Sequence, residues 1–521
     1  MNESRQRPSP APAPRPRRPW DRRGLIRASL ITVAAAGLAL GATGVDGTLQ
    51  LAAPTERAGL PQSSDVLIES AALVCPGQQR VGTQGMRDVS GDVQVAAGAA
   101  PKSVIVGLPT TAPPATGTGA APGRVSLLDP SGRSVASTDQ RFDPVVAPIE
   151  KDAFVLVRAE GDLAPGVVAT QSWLRLSDDD RGLAVTPCLE PSADVWLLGG
   201  GGGPSRTERV VMTNPGANAV SVRLEIFGAE GPVDTSDRGA VSIPPQSRVS
   251  LSLDALAPEE PRPAVHVVAT GGVVAAVLND AWVDGATARG VDDATAAAVP
   301  AEDLVVAGVD AAAAGQGETT LRLVNPGSTE AVARVSVLTP GGPVQPAGLR
   351  AVRVGAGATL DVPLALAPGS NGLHITSDGA ITAAVLVDRR QARETDREGD
   401  FGWTPALPPL VGTGGIVLAG PTRPGTTRTL HLAAGSTGGN VTTTVGSGDS
   451  ERTVTTTVAP GSTASVPLAD ADRVWLSTTA RDIRAVVTTG FDDRGVPYYG
   501  IVPIRSAPTT ETAVPVRQVT S

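Results

Sequence analysis

Chemistry is sought first among the three histidines, the two cysteines and a few acidic or glycine-rich turns of this 521-residue chain. His266 and His374 occupy equivalent places in two similar stretches, AVHVVATGGVVAAVLND (264–280) and GLHITSDGAITAAVLVD (372–388). One site per stretch is a functional reading. A sheet position copied with its strand is the simpler one, because no Asp or Glu adjoins either histidine in sequence and Trp475 stands near that place further on. His431 lies on a different strand, RTLHLAAG. No G-x-S-x-G elbow occurs. Gly448-Asp449-Ser450 is similar to a serine-protease nucleophile tripeptide, but Glu451 follows where that pattern needs Gly. The run Gly199–Gly203 follows a strand, and a phosphate loop would continue into a helix with Lys-Ser/Thr. Pro-Ser-Arg-Thr-Glu follows instead, so the run reads as a flexible loop.

Oxygen ligands for calcium are conceivable in Asp178-Asp179-Asp180-Arg181-Gly182, Asp492-Asp493-Arg494-Gly495 and Asp292-Asp293. The EF-hand spacing is not met, and Asp and Gly are ordinary turn residues. We read these stretches as turns. No catalytic, cofactor-binding or metal residue is assigned, and no cofactor is expected. Cys75 and Cys188 are too few for a four-ligand metal site and allow a single intramolecular disulfide. We expect that bridge to close the first module. Cys75 follows its first strand and Cys188 its last, and these can lie side by side at the Cα separation of ~4.4–6.8 Å that a disulfide needs. Trp173, Trp196, Trp282, Trp403 and Trp475 could stack on sugars if exposed, but they are scattered, and Trp more often anchors a core.

The elements that would position these groups are strands. Gly (60) and Pro (46) make up about a fifth of the chain, a load incompatible with a mostly helical protein. Apolar residues alternate with polar ones, as in RVSLSLDAL (248–256) and TLDVPLAL (359–366), the period of strands with one buried face. VVMTNPGANAVSVRLEIFGAEGPV (210–233) and LRLVNPGSTEAVARVSVLTPGGPV (321–344) repeat at 111 residues, and the two His-containing stretches repeat at 108. In Asn-Pro-Gly, Pro presets φ and Gly accepts positive φ, which punctuates a turn. Weaker copies flank this pair.

Four modules result: 65–190, 191–301, 302–410 and 411–505. Each is read as an immunoglobulin-like antiparallel β-sandwich. They are too long for single propeller blades, so the expected class is all-β, with tandem sandwiches after one N-terminal transmembrane helix. Residues 109–122 read as a mobile low-complexity loop, and 506–521 as a disordered tail.

Residues 1–27 carry eight Arg against Glu3 and Asp21 and read as a disordered basic cytoplasmic tail. Residues 28–45 are uncharged and, as a helix, cover about 27 Å, enough to span a membrane. Residues 46–64 form a linker. The positive flank places the body outside the cytoplasm. A cleaved signal peptide is the competing reading, with Ala39-Leu40-Gly41 as its site. The lengths favour an uncleaved anchor, hence a single-pass protein of the cell membrane; cleavage would make it secreted. The whole chain is −9, so residues 28–521 are strongly acidic and unsuited to nucleic acid.

The basic tail and single span, the NPG turns and the VxAAVL-type strands resemble an actinobacterial envelope-protein family grouped as domain of unknown function 5719. The resemblance implies an envelope location and carries no catalytic residue. The expected function is a non-catalytic, membrane-anchored structural or interaction protein of the bacterial envelope, whose partners are envelope proteins or cell-wall polymers. The alternative is a glycan- or polymer-binding protein using exposed Trp faces.

Overall fold

The alternating segments pair as antiparallel strands throughout the computed structural model, which describes residues 64–77, 93–106, 122–149, 153–177, 181–202, 206–235, 239–391, 397–418 and 423–513. The predicted tail and span, 1–45, lie outside these residues. So do all of the linker 46–64 but Ser64, nearly all of the low-complexity loop, and Asp178–Asp180. Among the described residues no helix is long and apolar enough to cross a membrane. The two α-helices, Lys102–Ile105 and Leu253–Leu256, are single turns.

The strands gather into pairs of sheets that face each other as sandwiches. In the first pair, one sheet holds Ser70–Cys75, Val155–Glu160, Arg124–Leu128 and Ser134–Thr138. Its mate holds Val145–Pro148, Gln94–Gly98, Val168–Arg175 and Gly182–Pro187. The same arrangement recurs three times. In each copy one sheet carries, at one edge, the last long strand of the module: Gly182–Pro187, Thr287–Ala294, Gly399–Pro405 and Val496–Ile504. In the third copy a single 22-residue strand, Gly369–Arg390, pairs first with one sheet and then with the other.

The sandwiches pack on one another. The core of each takes in side chains of the next: Ala281 and Val291 join the first core, Phe401 and Trp403 the second, Tyr499 and Ile501 the third. Leu183 and Val185 of the first module then pack in the core of the fourth, which closes the circuit. Trp475 is fully buried against Ala96, Ala100 and Val168 of the first module and donates its indole N–H to Gly166 O at 3.1 Å. Cores built mainly of Ala and Val hold little apolar area each, and burying further side chains at ~1.5–3 kcal/mol apiece favours mutual contact. The repeat period carried no sign of this, because the residues that cross module boundaries sit on strands of ordinary alternation.

One expectation is corrected: residues 506–521, read as a disordered tail, contribute the strand Thr510–Ala513, which pairs with Ser64–Leu67. That tail is tied down by Gly166 N to Pro508 O and by Ala507 N to Thr413 O, both 2.8 Å. The glycines of the two NPG turns, Gly216 and Gly327, do not have positive φ. A Cβ there would lie 3.2 and 3.0 Å from the Oδ1 of Asn214 and Asn325, so glycine supplies room for the asparagine.

Cys75 and Cys188 form a disulfide with Cα atoms 4.3 Å apart. It joins the two sheets of the first sandwich beside a two-bond bridge between Val74 and Leu189, 2.8 Å in each direction.

Candidate functional site

His266 sits on the strand Ala264–Thr270, in register with Trp196 on one neighbour and Glu225 on the other. Its Nδ1 lies 2.9 Å from Glu225 Oε2 and its Nε2 lies 3.1 Å from Asp194 Oδ1. The ring stacks on Trp196, with centroids 4.1 Å apart. The copied histidine keeps half of this clamp: His374 Nε2 is 3.1 Å from Asp303 Oδ2, and Ser336 stands opposite it in place of Glu225. Carboxylates invisible in local sequence therefore do meet both histidines, brought there by neighbouring strands. Among the described residues the ring nitrogens of His266 and His374 meet carboxylates and no hydroxyl or thiol.

His431 is buried between Ser370 Oγ at 2.8 Å and Thr488 Oγ1 at 2.9 Å. Burial pushes its pKa below the usual histidine value. Among the described residues no carboxylate is hydrogen-bonded to it to orient the ring as a general base. Among the described residues no group of three or more His, Cys, Asp or Glu is arranged to hold a metal ion.

The densest buried polar arrangement lies where the four last strands meet. Asp400 is fully buried and accepts four backbone N–H groups. Oδ2 takes Leu183 N at 2.8 Å and Tyr499 N at 3.0 Å; Oδ1 takes Phe401 N at 3.0 Å and Val291 N at 3.2 Å. Each donor comes from a different module. The residues just before the donors are Gly182, Gly290, Asp400 itself and Tyr498. Gly290 (φ 119°) is required: a Cβ there would lie 2.1 Å from Asp400 Oδ1. Burial pushes the Asp400 carboxyl well above the usual carboxylate range, and the four N–H groups oppose that shift. With both oxygens saturated by donors, a carboxyl proton would have no acceptor, so the carboxylate is the form that fits.

Around this point the second and third modules share a buried ionic network. Arg206 holds Asp280 by two bonds of 2.6 Å and lies over the rings of Trp282 and Phe401. Asp280 Oδ2 also accepts the Trp403 indole N–H at 2.8 Å and Gly200 N at 2.9 Å. Arg322 grips Asp361 by two 2.8 Å bonds. It also donates to the carbonyls of Gly199, Gly200 and Pro263 at 2.8, 3.1 and 3.0 Å. The glycine run read as a flexible loop is thus, at Gly199 and Gly200, the seat of an arginine; Gly203 lies outside the described residues. Asp292 and Asp293, read as a turn, are buried on a strand. Asp292 Oδ2 accepts Trp403 N at 2.7 Å and Asp293 Oδ2 accepts the Thr186 hydroxyl at 2.7 Å. Burial pushes the Asp292 carboxyl well up. Burial, then the charge of Asp280, pushes Glu208 up to about 7, and burial pushes Asp388 up to about 6.

Trp173, Trp196, Trp403 and Trp475 are core side chains, and Trp282 is half-buried. They share no exposed face.

A chain of paired antiparallel sheets whose last strands converge on one buried carboxylate is an all-β multi-sandwich protein. Residues 135–469 match the profile of the Family of unknown function (DUF5719), and the chain belongs to that family. No curated protein is similar to it at a significant level. Among solved structures, E. coli alpha-2-macroglobulin in its native conformation, reconstructed by cryo-electron microscopy, aligns with 86% of this chain at 12% identity and a TM-score of 0.11. The chain spans about 30% of that protein's length, and at that TM-score nothing about fold or function follows.

Proposed function

We propose that this protein is a non-catalytic, membrane-anchored structural or interaction protein of the bacterial cell envelope, with its body outside the cytoplasm. One observation carries the reading: the buried Asp400 carboxylate is bound by backbone N–H groups of all four modules. Charge at the heart of the molecule is thereby used to hold modules together, not offered to a substrate. The Cys75–Cys188 disulfide suits an oxidising compartment, and the basic segment before an uncharged 18-residue run suits an anchor. Reading the body as a glycan binder would need an exposed aromatic platform, and the only half-buried tryptophan of the body, Trp282, is covered by Arg206 and Arg390.

Protease added to intact spheroplasts tests the placement. Digestion of 65–505 with survival of 1–27 supports it, and protection of the body overturns it. A soluble form beginning near Ala42 would replace the anchor with a cleaved signal peptide. Crosslinking and co-purification from membranes would then supply the partner, an envelope protein or a cell-wall polymer.

A further inference from the structure

Four N–H groups from four modules pointing at one buried place make an anion site before any particular anion is put there. The donors Leu183, Val291, Phe401 and Tyr499 stand on the four last strands, each fixed by its own sheet. Three of the four residues preceding the donors contribute nothing to the centre by charge: two are glycines, and Tyr498 turns its hydroxyl to Arg181 at 2.7 Å. The fourth is Asp400, whose side chain fills the room that the two glycines leave. Backbone N–H groups converging in a dry place favour an anion through their dipoles, and charge-assisted bonds of this kind are the strong ones.

We infer that the four-module junction is a carboxylate-binding site of backbone N–H groups, and that Asp400 is its built-in ligand, whose binding closes the ring of sandwiches. The inference rests on the structural reading of the junction and is independent of where the protein sits in the cell. A failed spheroplast experiment leaves it standing, and its own failure leaves the localisation standing.

The test removes the ligand and keeps the site. In the full chain, D400G leaves the four donors facing an empty space sized for a small carboxylate. Its Tm is expected to fall by about 10 °C, since several charge-assisted bonds are lost together. Sodium formate should then restore at least half of that loss with saturation, whereas equal concentrations of formamide, neutral and of similar size, should not. Wild type should respond to neither. D400N, which turns an amide N–H toward donors, should be as unstable as D400G and unresponsive to formate.

A D400G or D400N protein that melts with wild type overturns the inference. So does a formate effect equal in wild type and variant. If D400G does not fold on expression, urea-unfolded variant is refolded in formate or in formamide. Recovery in formate alone supports the site, and recovery in neither overturns it.

Discussion

Asn214 and Asn325, 111 residues apart, make the same four hydrogen bonds. Each Nδ2 donates to the carbonyl four residues on, at 2.8 Å, and to two consecutive carbonyls of a distant strand end at 3.1 and 3.0 Å. Those carbonyls are Ile243 and Pro244 for Asn214, and Val354 and Gly355 for Asn325. Each Oδ1 accepts the N–H of the turn glycine at 2.9 Å. The asparagine of the NPG turn is therefore a staple between a hairpin and a second strand. N214A and N325A should each lower unfolding free energy by ~2–3 kcal/mol, because buried carbonyls lose their donor. The double variant should be additive within ~0.5 kcal/mol, the sites being in separate modules. Urea denaturation checks both.

Arg322 should tolerate no substitute. It is 2% exposed and serves Asp361 and three carbonyls at once. R322A leaves Asp361 and the glycine-run carbonyls unpaired and should cost ~3–5 kcal/mol. R322K keeps the charge but lacks the planar fork, and should recover less than half of that. Thermal melts of the two variants against wild type decide it. Equal stability of R322K and wild type would show that charge alone suffices.

Stability should fall as pH rises through the range set by Glu208 and Asp388. Both carboxyls are pushed up on folding, to about 7 and about 6. The folded chain thus holds protons that the unfolded chain releases, and folding is favoured below their ordinary pKa values. That advantage is lost as pH climbs through the folded values. For Glu208 the loss between about pH 4.5 and 7 is on the order of 3 kcal/mol. E208Q should be more stable than wild type at pH 8 and show a flatter profile. A profile unchanged by E208Q would mean that Glu208 does not titrate in this range.

Reducing the Cys75–Cys188 bridge should destabilise the protein by up to ~4–5 kcal/mol on the chain-entropy estimate, for a loop of 113 residues. Non-reducing mass spectrometry of the purified protein should find the two peptides linked. C75A/C188A should melt at the temperature of the reduced wild type, and a melt equal to the oxidised form would show that the bridge adds nothing.

Alternation, the NPG repeats and the cysteine pair were legible because each is a local pattern: a period of two, a fixed offset, one possible pairing. What escaped is non-local. Asp400 stands where the equivalent places hold Gly182, Gly290 and Tyr498, so alignment of the modules hides the one position on which they converge. The carboxylates beside His266 and His374 come from neighbouring strands 41 to 72 residues away. The asparagines were passed over because Pro and Gly already explain a turn. Asp292 and Asp293 looked like loop acids because two adjacent carboxylates rarely both turn inward. They do so here because the strand is packed on both faces by other modules.

The four-residue ribbon between Ser64–Leu67 and Thr510–Ala513 joins points about 450 residues apart along the chain. Bringing such distant points together in a flexible chain costs about 5 kcal/mol of loop entropy, more than a short exposed ribbon returns. The ribbon can exist only because the sandwiches have already brought its halves together. It is a late passenger of closure, the last pairing to form and the first to fray, and amide exchange there should report on the intact circuit without contributing to its strength.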